Sequence, residues 1–317
     1  MTPEQSAWFA ETFAGLVGNV SRAVLGADRP VRLVLTAMIA EGHVLLEDAP
    51  GTGKTSLAKA IAASVQGTHQ RIQFTPDLLP SDVTGVTIWD QGARTFQFHP
   101  GPVFTSVLLA DEINRASPKT QSALLEVMEE GHVTVDRDTH PVGRPFVVIA
   151  TQNPIEQAGT YRLPEAQLDR FLVRTSLGYP DRTATVEILS GARDRTRELD
   201  PVVTTAGVVE MAELAQTVHV DGSVLDYVAR LIEGTRGDPQ TALGASVRGG
   251  LALVRAARVQ AAAAGRAYVV PDDVKELAVP VLAHRLVLDP EADFLGATTI
   301  QVVERVLSAT PPPVARA

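Results

Sequence analysis

The sequence predicts an α/β chain in which a parallel five-stranded sheet flanked by helices spans residues 1–179, followed by a smaller all-helical unit over 180–317. Three observations lead there. Up to Tyr179, short apolar runs alternate with segments of helical periodicity, the pattern of strands covered on both faces by crossover helices. Past Pro180 the apolar runs nearly vanish, alanine rises and the 3.6-residue period dominates. The length of 317 residues exceeds the roughly 150 of an average domain, so two packed units are expected.

Phe9, Phe13, Leu16, Val17, Val20 and Val24 recur at helical spacing. Val31, Val34, Leu35, Met38 and Ile39 do the same after Asp28 and the helix-starting Pro30, so amphipathic helices open the chain. Residues 43–46 read as a buried strand, 47–53 as a turn-rich loop and 56–65 as a helix. Strands follow at 71–74, 107–110, 146–150 and 172–177, with a helix at 118–130. Between Ser81 and Pro100, turn residues Gly85, Asp90 and Gly92 punctuate the β-preferring Val86, Ile88, Trp89, Phe96 and Phe98, which predicts an inserted hairpin. A second hairpin is expected at 132–144, where Val133 and Val135 alternate with polar residues. The helical part should hold helices at 183–195, 207–218, 223–235, 246–264 and 271–282, with Gly265 as a stop and a frayed TPPPVARA terminus.

Composition narrows the function. Hydrophobic residues at 45% and charged residues at 21% are globular proportions. Lys plus Arg number 28 against 37 Asp plus Glu, a formal charge of −9, which opposes nucleic acid or anionic lipid as a general partner. The absence of cysteine excludes disulfides, thiolate metal sites and a cysteine nucleophile. The 7 histidines show no metal-ligand spacing, so no structural metal is expected. No apolar segment approaches the roughly 20 residues of a membrane helix; 33–40 closes at Glu41. The N-terminus around Glu4 lacks the basic start and apolar run of a secretory signal, so a cytoplasmic location is expected.

The strongest local signal is HVLLEDAPGTGKTS, a buried strand ending in a glycine-bearing loop with Lys54 and Thr55 at a helix start. Gly51 and Gly53 allow backbone angles and close approach denied to larger residues, so successive N–H groups can face phosphate oxygens at a helix N-terminus. The cradle comprises Asp48, Ala49, Pro50, Gly51, Thr52, Gly53, Lys54, Thr55 and Ser56; Lys54 would reach the β and γ phosphates of ATP and the Thr55 hydroxyl would ligate Mg²⁺. Asp48 stands where G-x-x-x-x-G-K-[ST] has its first glycine; the open point there is its backbone angle, since Asp tolerates left-handed geometry better than most residues. Asp111 and Glu112 end the strand at 107–110, the sheet edge where ligands of open α/β folds bind. Asp111 would orient the Mg²⁺ water shell and Glu112 would polarise the attacking water. Thr151, Gln152 and Asn153 end another strand, and Asn153 could hold that water or the γ phosphate.

The order of these segments resembles the AAA+ ATPases, and specifically the MoxR family. GHVLLEDAPGTGKT, LLADEINRASPKTQSALLEVMEEG, IATQNPIEQAGTYRLPEAQLDRF and GASVRG are similar to that family's Walker A, Walker B, sensor 1 with arginine-finger region, and sensor 2. The resemblance implies that Arg170 is the finger offered to a neighbouring subunit, with Arg162 and Arg174 as rivals, and that Arg248 is sensor 2. Val247 replaces the usual proline there, and Gly249 with Gly250 weakens the helix start. The resemblance further implies a ring of six and chaperone-like remodelling or maturation of partner complexes, often alongside proteins with a von Willebrand factor A domain. The insert at 81–100 becomes a projecting hairpin that meets partners. Two other functions stay open at this point: a nucleic-acid-directed motor, which the acidic balance opposes, and a nucleotide-gated scaffold without turnover, which Glu112, Asn153 and Arg170 oppose.

Overall fold

Val44–Leu46, Val107–Ala110 and Val147–Ala150 are runs of apolar residues with no solvent exposure, and only strands covered on both faces bury every side chain of such a run. A computed structural model of the chain describes residues 1–48, 51–153, 161, 163–190, 196 and 199–313. It divides into two compact units, one of Gly15–Leu163 with Thr175–Val209 and one of Met1–Ala14, Pro164–Arg174 and Glu210–Ala317.

The chain opens with α1 (Pro3–Ala23) and α2 (Asp28–Ile39), then β1 (Val44–Glu47), α3 (Lys54–Ser64), β2 (His69–Gln73), α4 (Pro80–Thr84), β3 (Gly85–Asp90) and β4 (Thr95–Pro100). It continues through β5 (Val107–Asp111), α5 (Pro118–Glu130), β6 (His132–Val135), β7 (Asp138–Pro141), β8 (Val147–Gln152), α6 (Glu165–Leu168) and β9 (Val173–Thr175). The main sheet has five strands in the order β2-β5-β8-β1-β9, and β2, β5, β8 and β1 are parallel. Register aligns their carboxyl ends: Gln73 pairs with Asp111, Leu46 with Thr151 and Glu47 with Gln152. His43 anchors the start of β1, its Nε2 on the Met128 carbonyl at 3.0 Å and its Nδ1 accepting from the Val148 N–H at 3.0 Å.

The insert differs in extent from the 81–100 hairpin expected: residues 80–84 form α4, started by Pro80 at its first position, and the antiparallel β3–β4 pair begins only at Gly85. Pro at that position fits a helix start because its missing N–H would be unpaired anyway. Trp89 and Phe96 pair across the hairpin edge to face at 5.0 Å, while Phe98 stacks on His140 of β7 at 3.9 Å. Trp89 and Phe96 stay 48% and 71% exposed.

Beyond β9 come α7 (Arg182–Ser190), α8 (Thr205–Gln216), α9 (Gly222–Gly237), β10 (Thr241–Leu243), α10 (Val247–Ala263), α11 (Pro271–Leu282), β11 (Val287–Leu288), α12 (Pro290–Phe294) and α13 (Thr299–Ala309). Tyr227, Leu231, Leu253, Ala256, Leu277, Val281, Val302 and Val303 form the core of the helical unit. The short β10–β11 pair, α12 and α13 lie outside the helices expected from periodicity. Among the described residues, no helix is long and apolar enough to cross a membrane.

Candidate functional site

Where β1 ends, Asp48 is 5% exposed and its carboxylate is saturated: Oδ1 accepts from Ser176 Oγ at 2.7 Å and the Gly178 N–H at 3.0 Å, and Oδ2 from the Leu177 N–H at 2.7 Å. Asp48 does not take the left-handed angle entertained for it; among the described residues of this loop, positive φ falls on Gly51 at 85° and Gly53 at 96°. Asp48 therefore replaces the expected glycine as a side-chain anchor, and the conformational burden falls on the two glycines. Gly53 caps α3, whose first turn holds Lys54, Thr55 and Ser56, no acidic residue and no side-chain cap. Such an N-terminus offers N–H donors to an anion. Lys54 Nζ donates to the Asp48 carbonyl at 3.3 Å, which folds the lysine back over the loop.

The neighbouring strands supply the acids. Asp111 Oδ1 accepts from Thr151 Oγ1 at 2.6 Å, and Asp111 Oδ2 from Arg71 Nη2 at 2.8 Å. The same Thr151 hydroxyl accepts from the Glu112 N–H at 2.9 Å, so one buried threonine fixes both residues. Glu112 takes a left-handed φ of 55°, a conformation uncommon for a non-glycine residue that turns the chain out of β5. Its Oε2 accepts from Gln73 Nε2 and from Arg115 Nη1, each at 2.9 Å.

Gly51, Gly53, Lys54, Thr55, Asp111, Glu112 and Asn153 line one cavity of 290 Å³, together with Asp48, Arg71, Gln73, Thr151 and Gln152. A larger hollow of 1360 Å³ lies between α9 and α13, far more open to solvent and without the glycine loop or the paired acids. Sequence reasoning misses Arg71, Gln73 and Arg115, and places Thr151 only as the end of a strand. The signal for Arg71 and Gln73 was present, since polar residues at 71 and 73 flank apolar Ile72 and precede Phe74, which places both on one strand face. What alternation could not reveal is that β2 lies beside β5.

The chemistry of the cavity fits a magnesium nucleotide. Hard oxygen donors from Thr55 and Asp111 sit with a lysine and a helix N-terminus, which suits a hard divalent cation bound through phosphates. Gln152 Nε2 is buried at the cavity wall and meets no hydrogen-bond partner among the described residues; a phosphate oxygen or a water would satisfy such a donor. Among the described residues, no group of three His, Cys, Asp or Glu gathers to hold a metal by protein ligands alone.

Arg170 lies in the turn between α6 and β9, and Arg248 in the first turn of α10, both in the helical unit. Arg174 is in β9, whereas Arg162, Ala49 and Pro50 lie outside the described residues. A Cβ on Gly249 would meet Arg285 Cδ at 3.0 Å, and one on Gly250 would meet Ile232 Cδ1 at 2.3 Å. Both mark close approach to neighbouring side chains.

Residues 43–173 match the family described as "ATPase family associated with various cellular activities (AAA)", and residues 233–306 match the AAA lid domain. The chain is 46% identical to YeaC of Bacillus subtilis over 95% of its own length and 94% of that protein. It is 42% identical to Chaperone MoxR1 of Mycobacterium tuberculosis over 93% of its own length and 81% of that protein. The crystal structure of a Cytophaga hutchinsonii protein assigned as a candidate ATPase superposes with a TM-score of 0.90 at 36% identity, covering 98% of each chain.

Proposed function

Because this chain is an AAA+ ATPase of the MoxR family, we propose that it hydrolyses ATP with Mg²⁺ in the cavity at the sheet edge and uses the cycle for chaperone-like remodelling or maturation of partner complexes. The observation that supports the reading is the convergence of Lys54 and Thr55 with Asp111 and Glu112 on one cavity from separate elements. In this reading Asp48 to Ser56 cradle the phosphates, with Lys54 on the β and γ groups. Thr55 and Asp111 would hold Mg²⁺. Bound there, the ion supplies neutralisation of charge across the phosphate oxygens.

Glu112 takes up the proton of the attacking water, its carboxylate aimed by Gln73 and Arg115. Asn153 holds that water or the γ phosphate, and the Gln152 amide adds a donor on the same wall. Arg170 acts on a neighbouring subunit's nucleotide, where a finger in trans contributes roughly 10³–10⁵ in rate, and Arg248 reads the γ phosphate within its own chain. A ring of six, a core over 1–179 and a lid over 180–317, a cytoplasmic location and a client bearing a von Willebrand factor A domain complete the proposal.

Phosphate release and fluorescent-nucleotide binding measured on wild type, Lys54→Ala and Glu112→Gln test it. Lys54→Ala should lose nucleotide affinity, whereas Glu112→Gln should keep it and stop turnover. Unchanged affinity in the lysine variant discards the cradle. Equal phosphate release from wild type and Glu112→Gln discards hydrolysis in favour of a scaffold. Specific activity should rise with protein concentration if Arg170 acts in trans. The Glu112→Gln protein loaded with ATP is the bait for recovering the client.

A further inference from the structure

One residue outside the nucleotide cavity joins the two arginines just assigned. Asp169 precedes Arg170, and its carboxylate faces two ways: Oδ1 accepts from Arg285 Nε at 2.7 Å, and Oδ2 from Ser246 Oγ at 3.3 Å. Ser246 is the N-cap of α10, accepting from the Gly249 N–H at 3.3 Å, so it is the residue that starts the helix carrying Arg248. Arg285 fastens the other side. Its buried guanidinium donates to the carbonyls of Asp169 at 3.2 Å and Phe171 at 2.8 Å, to that of Leu172 at 3.4 Å and to that of Val281, while Nη1 meets His284 Nε2 at 2.8 Å. Gly249 leaves room for the arginine stem. All of these residues belong to the helical unit.

We propose that Asp169 is a positioning residue that binds the Arg170 turn to the start of the Arg248 helix, so that the two arginines shift together. The inference rests on the reading of Arg170 as finger and Arg248 as sensor 2. Its consequence is that the cation facing a neighbour's nucleotide responds to the state of the chain's own. A carboxylate with a donor on each oxygen suits the task, because neither partner can turn without giving up a charge-assisted bond. The anchor is the Arg285 side, where burial makes the bond costly to break. The release is the exposed Ser246 side.

The test is a double-mutant cycle on kcat with Arg170→Lys and Arg248→Lys, measured in the Ser246, Ser246→Asp and Ser246→Asn backgrounds. Lysine keeps the charge but loses the planar fork, so each change is expected to lower kcat by about tenfold. Asp and Asn both cap helices well, so α10 is preserved, but Asp sets a like charge against Asp169 while Asn can still donate to it. Contacts within one network are non-additive. The expected result is a double variant far less impaired than the product of the singles in the Ser246 and Ser246→Asn proteins, and simple multiplication in Ser246→Asp. Multiplication in the Ser246 protein, including no effect of either lysine, or coupling that survives Ser246→Asp, overturns the node. Wild-type turnover in both Arg170→Ala and Arg248→Ala overturns the underlying reading and the node with it. Melting curves of the Ser246 variants separate loss of coupling from loss of fold, and coupling lost equally in Asp and Asn at equal stability also overturns the proposal.

Discussion

Two clusters in this chain use the same pair, an arginine on an aspartate, in opposite settings. Arg71 and Asp111 meet at the open sheet edge, their side chains 47% and 12% exposed. Arg285 and Asp169 meet inside the helical unit at 2% and 20%. A half-exposed pair contributes little, about 0–1 kcal/mol, so Asp111 can trade its arginine for another cation at small cost. A buried guanidinium spread over backbone carbonyls cannot be traded, since removing a partner strands polar groups away from water. The lesson is that exposure, more than chemistry, separates a contact made to be exchanged from one made to last.

The sharpest way to break that contrast is Arg285→Ala, which should destabilise the helical unit by about 3–5 kcal/mol, read from denaturant unfolding; a loss no larger than that of Arg71→Gln removes the distinction. Next is Asp48→Ala. It strands the buried Leu177 N–H and removes one partner each from the exposed Ser176 hydroxyl and Gly178 N–H, at a cost of about 1–3 kcal/mol, which calorimetric melting should show.

A smaller effect comes from His284, whose pKa burial holds well below 6.5, with Arg285 and Arg174 adding positive charge nearby. The unfolded chain protonates this imidazole near pH 6.5 and the folded chain does not, so stability falls as pH drops below about 6.5 and is level above it. His284→Asn should flatten that slope relative to wild type in melting curves taken from pH 7.5 to 5. The smallest change in stability belongs to Arg71→Gln, under about 1 kcal/mol. Its effect should appear instead as tighter Mg²⁺-dependent ATP binding by titration calorimetry, because Asp111 loses a competing cation; weaker Mg²⁺-dependent binding would show that Arg71 is no competitor.

The central strands were legible because they are uninterrupted apolar runs, the acids because they end one of these, and the lysine and threonine because they follow a glycine-bearing loop at a helix start. Arg71, Gln73 and Thr151 were not, since their importance depends on which strand lies beside which. Asp48 was misjudged for a related reason: a local motif assigns it a backbone angle, while the groups that occupy it are Ser176, Leu177 and Gly178, more than a hundred residues away. Gly249 and Gly250 illustrate the same blindness to neighbours. In α13, Val302, Val303 and Val306 fall at helical spacing but their β-branching lowers helix propensity, and Thr298 with Gln301 forms the capping box that marks its start.

The Trp89 and Phe96 rings sit one residue pair from the hairpin turn, and Trp89 is one of just 2 tryptophans in the chain. With Trp8 replaced by phenylalanine, the fluorescence of this indole becomes a built-in optical reporter at the outermost part of the insert. Anything that settles on the hairpin must then announce itself as a change in emission, without a dye or a label.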